Sequence, residues 1–279
     1  MAIYNTMTAP CASSLRNAAS ILPTVSGRAV FRKQLPFATQ RTRRQFTAHS
    51  ASQPGLRRSS RQSKTPTILE VERKFAPTTA SMQQLASNAG YPPFQSVIHH
   101  GTTSFEDAYY DTADEALCDA GVWLRRRGER WEAKIRVGGD FTNSAFEEVT
   151  SVEDISAMLA KLVPGAALDL RDGPTGGRVR EVAMLVTERK KFLVDGKFTV
   201  VLDETDFGHV VGEVEMERQI YIPGQGDVDR SQEEDQQRAQ MIAEMDHEID
   251  DFMKRYKWAF PPGKPVGKLS AYFALKQRQ

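Results

Sequence analysis

The chain has 279 residues, with 37 Lys and Arg against 36 Asp and Glu, a formal charge of +1. That balance hides two segments, because residues 1–64 hold eleven basic residues and no acid, leaving 26 basic against 36 acidic side chains in the other 215 residues; a basic nucleic-acid-binding body is excluded. No run approaches the roughly 18 consecutive apolar residues that a membrane-spanning helix needs, and two cysteines, Cys11 and Cys118, exclude a disulfide scaffold and favour a reducing compartment.

The first 64 residues are rich in Ser, Ala, Thr and Arg (Arg16, Arg28, Arg32, Arg41, Arg43, Arg44), the composition of an organelle transit peptide. Their apolar pieces are too short for a secretory core, and Arg44-Gln45-Phe46 before Thr47-Ala48 resembles a mitochondrial processing site. The expectation is a mitochondrial presequence and disordered linker over 1–64, directing the protein to the matrix, followed by one domain over 65–279. The alternative is a cytoplasmic protein with a disordered basic tail.

From Ile68 the dominant signal is period two, which puts alternate residues on one face of a strand. Ile68 to Phe75 places Glu70, Glu72 and Lys74 opposite Leu69, Val71 and Phe75, interrupted only by Arg73. Helical spacing follows at Thr78–Ala89, through Met82, Leu85, Ala86 and Ala89, with Gly90 as the stop. His99-His100 fall in a loop or strand start and have no third partner to make a metal site. Cys118 reads as a buried small hydrophobe. Trp123, Arg125 and Arg127 then share a face, as do Glu132, Lys134 and Arg136 opposite Trp131, Ala133 and Ile135.

Ser151 can cap a helix with Asp154 three residues on, and Ile155, Met158, Leu159 and Leu162 form its apolar stripe before Pro164-Gly165. Pro164–Gly177 reads as a loop. Thr187, Arg189 and Lys191 align on one strand. Phe198–Asp203 leads through a turn at Asp206-Phe207-Gly208 into Val211–Arg218, where Glu213, Glu215 and Glu217 oppose Val214 and Met216. A last helix is expected from about Asp229 to Tyr256, with Ile242, Met245, Ile249, Phe252 and Tyr256 inward. Its acidic start and His247 read as solvated.

Any one of these strands, taken alone, is an ordinary half-buried strand with a solvated face. As a set they are not, since acids gather on the first and last strands and bases on the middle ones. Turning those faces inward gives a closed antiparallel barrel with a charged lumen and helices packed outside. Many Arg and Lys in one cavity repel each other unless a polyanion neutralises them, and Arg suits phosphate. Carboxylates beside them need a hard divalent cation between themselves and phosphate, and oxygen-only ligation points to magnesium or manganese. Trp123, two residues before Arg125 on the same face, either offers an aromatic face on which a flat cationic ring can stack or serves as a core residue.

The chain resembles the CYTH, or triphosphate tunnel metalloenzyme, superfamily, and within it the thiamine triphosphatases. The resemblance covers about Ile68 to Tyr272. It rests on Glu70-x-Glu72-x-Lys74, Tyr109-Tyr110-Asp111-Thr112, Trp123-Leu124-Arg125-Arg126-Arg127, Trp131-Glu132-Ala133-Lys134, Thr187-Glu188-Arg189, Leu202 to Gly208, Gly212-Glu213-Val214-Glu215 and Gly267-Lys268-Leu269. It implies an α+β fold built on a closed eight-stranded antiparallel β-barrel.

The resemblance further implies that Glu70, Glu72, Asp203, Glu213 and Glu215 hold the Mg2+ or Mn2+. Lys74, Arg125, Arg127, Lys134, Arg189 and Lys268 clamp the triphosphate. Tyr109 and Lys134 form a catalytic pair that activates water, which requires the neighbours of Lys134 to lower its pKa. Glu148 matches another tunnel carboxylate, but the position before it, usually basic in such enzymes, is Glu147. The implied activity is Mg2+-dependent hydrolysis of thiamine triphosphate to the diphosphate. Two other readings remain: an inorganic tripolyphosphatase or broad nucleoside triphosphatase, and a non-catalytic polyphosphate-binding module. The expected partner is a small-molecule triphosphate, with no nucleic acid and no membrane insertion. A closed barrel leaves no edge strand to pair, so a monomer is expected.

Overall fold

The computed structural model describes residues 66–140, 142–221 and 231–278. The segment read as a presequence lies outside the described residues.

Eight strands close a barrel, and the charged faces read from the sequence at Glu70–Lys74, Trp123–Arg127, Glu132–Arg136, Thr187–Lys191 and Glu213–Glu217 turn inward. In chain order the elements are β1 (Pro66–Phe75), α1 (Thr79–Ser87), β2 (Val97–Thr112), α2 (Ala116–Asp119), β3 (Val122–Arg127), β4 (Arg130–Gly139), β5 (Asn143–Val149), α3 (Val152–Leu162), β6 (Ala167–Asp169), β7 (Gly173–Thr175), β8 (Val179–Val194), β9 (Phe198–Thr205), β10 (Val210–Tyr221), α4 (Ser231–Arg255) and α5 (Lys268–Lys276). Around the barrel the order is β1-β10-β9-β8-β2-β3-β4-β5, with β5 pairing back onto β1. All these pairings are antiparallel.

Register carries the sequence pattern into space, because directly opposed residues of an antiparallel pair share a face. Glu72 opposes Glu215 and Lys74 opposes Glu213 across β1 and β10. Arg189 opposes Asp203, Tyr109 opposes Arg125, Arg125 opposes Glu132, Trp123 opposes Lys134, and Lys134 opposes Glu148. A one-residue slip in any strand would turn its charges outward into apolar packing.

The intervening residues supply the outer core. Leu69, Val71 and Phe75 of β1, Val200 and Leu202 of β9 and Val214 and Met216 of β10 pack under α4, which presents Met245, Ile249 and Phe252, with Tyr256 just past its end. Aromatic rings thicken this layer: Phe198 stacks on Phe252 at 4.0 Å, and Phe94 meets Tyr256 at 4.5 Å. Gly212 fits where a side chain could not, since a Cβ there would lie 2.2 Å from the Phe75 ring. Polar contacts dock α4 as well. Arg73 of β1 bonds Asp246 at 2.8 Å and also Asp250, which accounts for the charged residue that interrupts the apolar face of β1. Arg238 bonds Glu147 of β5 at 2.6 Å. The start of α4 is therefore partly a docking face, whereas the sequence suggested a solvated one; His247 is solvent-exposed as expected.

A second apolar cluster lies under α3, with Ile155 and Leu159 against Leu124, Trp131 and Ala133. The Ser151 cap read from sequence is in place, accepting the Asp154 amide on α3, and Thr78, where the helical spacing begins, forms a reciprocal capping box with Ser81 on α1. Two elements depart from the expectations: the stretch 164–177 contains the short β6–β7 hairpin, and α5 follows Gly267. His99 and His100 lie at the start of β2, the third and fourth residues of that strand.

Candidate active site

The inward faces enclose a cavity of about 640 Å3 lined by Glu70, Glu72, Lys74, Tyr109, Trp123, Arg125, Arg127, Lys134, Arg189, Glu213, Glu215 and Lys268, among others. Twelve of the thirteen residues singled out from the sequence thus line one space. The other, Asp203, is fully buried and bonded to two of them, Arg189 at 2.6 and 2.7 Å and Lys268.

Glu70, Glu72 and Glu215 each place a carboxylate oxygen within 4.8 Å of the other two, and all three are buried. Burial pushes the Glu72 carboxyl up, and Glu213 and Glu70 add to this against Lys74 and Lys134. Burial and Glu70 likewise hold Glu215 well above the ordinary carboxylate range, outweighing Arg189. Crowded buried anions of this kind are stabilised by a bound cation, and an all-oxygen donor set fits a hard divalent ion. Glu213 differs. Although burial opposes it, Lys74, Lys268 and Arg189 hold its carboxyl far below the usual range. Of the five carboxylates named as metal ligands, three therefore cluster, while Glu213 and Asp203 are held mainly by cations.

Each expected phosphate-binding cation has a carboxylate neighbour in the lumen. Lys74 bonds Glu72 and lies 3.4 Å from Glu213. Lys134 bonds Glu70 at 2.5 Å and approaches Glu148 at 3.2 Å and Glu72 at 3.6 Å. Arg125 pairs with Glu132 at 2.6 Å, and Arg127 with Asp107 through two bonds of 2.7 and 2.8 Å. Three of the cations also ring Phe105: Arg127 lies 4.1 Å, Arg189 5.6 Å and Lys268 5.7 Å from its centroid.

Sequence reasoning placed Glu132 on the charged face without a role and missed Asp107 and Phe105 as working parts of the lumen, although Phe105 and Asp107 precede Tyr109 by four and two residues on the same face of β2. Glu147 points the other way, to Arg238 outside the barrel, so the acid that breaks the expected pattern does not enter the lumen.

The environment of Lys134 corrects one expectation. Burial alone would push its ammonium down, but Glu70, Glu72 and Glu148 outweigh burial and hold it well above the ordinary lysine value. Lys74 is raised in the same way by Glu72 and Glu213. A crowded lumen does not lower these lysines, because its anions are as close as its cations. Tyr109 stands beside Arg125, while Lys134 sits on β4 opposite Trp123. β3 separates the two, by roughly two strand spacings of about 5 Å each. Trp123 is not a core residue: it is partly exposed and lines the cavity. Cys118, expected to be buried, is partly exposed in the same lining.

α5 covers part of the inner face, packing Leu269, Tyr272 and Phe273 near Tyr109, Ala183 and Leu185. Its first residue is the buried Lys268, a cation at the positive end of the helix dipole. Asp203 offsets that placement by bonding the ammonium.

The CYTH domain family matches residues 69–240. Human thiamine-triphosphatase is 33% identical over 164 residues, which cover 53% of this chain and 67% of that protein. The Macaca fascicularis thiamine-triphosphatase gives the same identity and coverage. Among solved structures, a candidate adenylyl cyclase from Hippeastrum, described as having a dominant triphosphatase activity, is 18% identical, with 74% of this chain and 95% of that chain covered and a TM-score of 0.42.

Proposed function

The chain belongs to the CYTH domain family, and from that premise we propose that it is a thiamine triphosphatase, a hydrolase that releases the terminal phosphate of thiamine triphosphate with a divalent cation, Mg2+ or Mn2+, as cofactor. The observation that carries this reading is the lumen itself, where the cluster of Glu70, Glu72 and Glu215 adjoins Lys74, Lys134 and Arg189 in one cavity. The 33% identity to human thiamine-triphosphatase supports the choice of substrate.

Glu70, Glu72 and Glu215 would hold the cation, which when bound neutralises phosphoryl charge and polarises the phosphorus–oxygen bonds. Lys74, Arg125, Arg127, Lys134, Arg189 and Lys268 bind the triphosphate oxygens by exchanging their carboxylate partners for phosphate. Their positions are fixed by strand register before the substrate arrives, so little reorganisation is needed, the condition under which electrostatic stabilisation is most effective. Lys134, whose ammonium form Glu70, Glu72 and Glu148 favour, stabilises charge on the departing or transferred phosphoryl group. The Tyr109 hydroxyl, beside Arg125, is placed to orient a water or a phosphate oxygen. Positioning and charge neutralisation carry most of the catalysis.

One observation favours the tripolyphosphatase reading: a protein cation already covers a face of Trp123. The two are separated by measuring phosphate release from thiamine triphosphate, inorganic tripolyphosphate and ATP side by side with Mg2+, with and without chelator. Higher kcat/KM on thiamine triphosphate, abolished by chelation, is expected; equal or higher kcat/KM on tripolyphosphate would replace the substrate assignment. The closed barrel supports a monomer, which light scattering checks. The acid-free, Arg-rich residues 1–64 support delivery to the mitochondrial matrix. A fluorescent fusion of the full chain should enter mitochondria, and one lacking those residues should stay in the cytosol.

A further inference from the structure

At the edge of the triphosphate site the lumen turns aromatic. Trp123 faces inward opposite Lys134, and its ring is held edge-on by Phe146, with centroids 5.6 Å apart and planes at 87°. The Lys134 ammonium lies 5.2 Å from the Phe146 ring, so Phe146 links the indole to the phosphate-binding cations. Arg136, two residues beyond Lys134 on the same face of β4, lays its guanidinium over the indole at 4.8 Å. Arg136 also lines the cavity. It is not one of the six cations assigned to the triphosphate.

We propose that Arg136 is a specificity-determining residue, whose guanidinium competes with the cationic heterocycle of the substrate for the π face of Trp123 and so biases the site toward substrates without a positive ring. This inference rests on the reading of the lumen as a triphosphate site and deepens it. An aromatic face attracts one cation well, but a second cation must displace the first or lie across the ring from it, with like charges in a low-dielectric wall. A thiazolium therefore meets a penalty that inorganic tripolyphosphate does not. For the polyanion the same guanidinium is an added attraction.

The backbone amide of Arg136 bonds the Gly121 carbonyl at 2.8 Å whatever the side chain, so exchange of the side chain leaves the β4 backbone pairing in place. Arg136→Gln keeps length and polarity while removing the charge, and Arg136→Ala removes the stacking group too.

The test is the ratio of kcat/KM for thiamine triphosphate to that for inorganic tripolyphosphate, measured with Mg2+ in the wild type, Arg136→Gln, Arg136→Ala, Trp123→Ala and the double variant Trp123→Ala/Arg136→Gln. The expected result is a rise of the ratio on the order of tenfold in both single Arg136 variants, carried mainly by a lower KM for thiamine triphosphate. The rise should be much smaller when Trp123 is already Ala, leaving only the lost attraction for the polyanion, an outcome that a general loss of positive charge alone would not produce. An unchanged or lower ratio in the Arg136 variants, or a full rise persisting without Trp123, overturns the proposal. A wild type that prefers tripolyphosphate would overturn the substrate assignment above and not this inference, because the shift in ratio on removing Arg136 is read either way.

Discussion

The two faces of strand β1 make opposite demands on the chain. Outward, Leu69, Val71 and Phe75 are almost wholly buried against α4 and the neighbouring aromatic layer, where each apolar group lowers the free energy of the fold. Inward, Glu70 and Glu72 are buried just as deeply, beside Glu215, and burial pushes Glu72 and Glu215 up because the charged form is disfavoured there. The outer face holds the barrel shut. The inner face is held shut by it, and keeps charges together that would separate in a looser structure. Function is concentrated where the packing is least favourable on its own terms, and the period-two alternation of a strand lets both occur within ten residues.

That contrast is open to direct attack, since inner substitutions should cost activity and outer ones stability. Lys134→Ala should reduce kcat by roughly 10²–10³-fold, the range for loss of one positioned group that stabilises developing charge, as read by phosphate release from thiamine triphosphate. Phe252→Ala should do the reverse. It removes a ring stacked on Phe198 and Phe94, at a cost of about 3–5 kcal/mol in denaturant unfolding, while kcat per folded molecule stays near wild type.

Arg73→Ala lies between these extremes, because Arg73 neighbours Glu72 and Lys74 in sequence but faces α4. Its partners Asp246 and Asp250 are partly exposed, so the loss should be about 1 kcal/mol, again with kcat preserved. Arg73→Ala that lowered kcat a hundredfold without unfolding would mean that α4 positions the lumen as well as enclosing it.

The smallest effect concerns acid. Hydrogen bonding and charge from Arg127, with Arg125 and Lys268, outweigh burial and hold the Asp107 carboxyl below its usual range. A depressed carboxylate stabilises the fold above its unfolded pKa of about 3.9, and that contribution is lost as pH falls below it. Asp107→Asn should therefore lower stability near neutrality, where the contribution is fully present, and flatten the acid limb of a stability-versus-pH curve below about pH 4, so that variant and wild type converge as pH falls.

Much of this arrangement was legible because period two is visible without knowing the fold. The inward charges of β1, β3, β4, β8 and β10, and the Ser151 cap, depend on neighbours two to four residues away. What was not legible depended on distant partners. Arg73 looked like an interruption of an apolar face until α4 supplied Asp246 and Asp250. Glu147 looked like a departure inside the lumen until register turned it outward to Arg238. Helix α5 begins with a lysine where a helix prefers an acid, and only Asp203, 65 residues earlier, makes that placement tolerable. The state of Lys134 was misjudged for the same reason, since composition counts the lumen's cations but not the distances from Glu70 and Glu148.

The most direct test of the division between the faces is Glu72→Gln, measured in parallel for Mg2+-dependent phosphate release from thiamine triphosphate and for melting temperature. Glu72 belongs to the carboxylate cluster and carries a charge that burial disfavours, so the neutral isostere should lose activity by at least about 10²-fold while melting at or above the wild-type temperature. Full activity in the variant would contradict the assignment of the inner face to catalysis, and activity lost together with a large drop in melting temperature would show that the inner charges hold the barrel together after all.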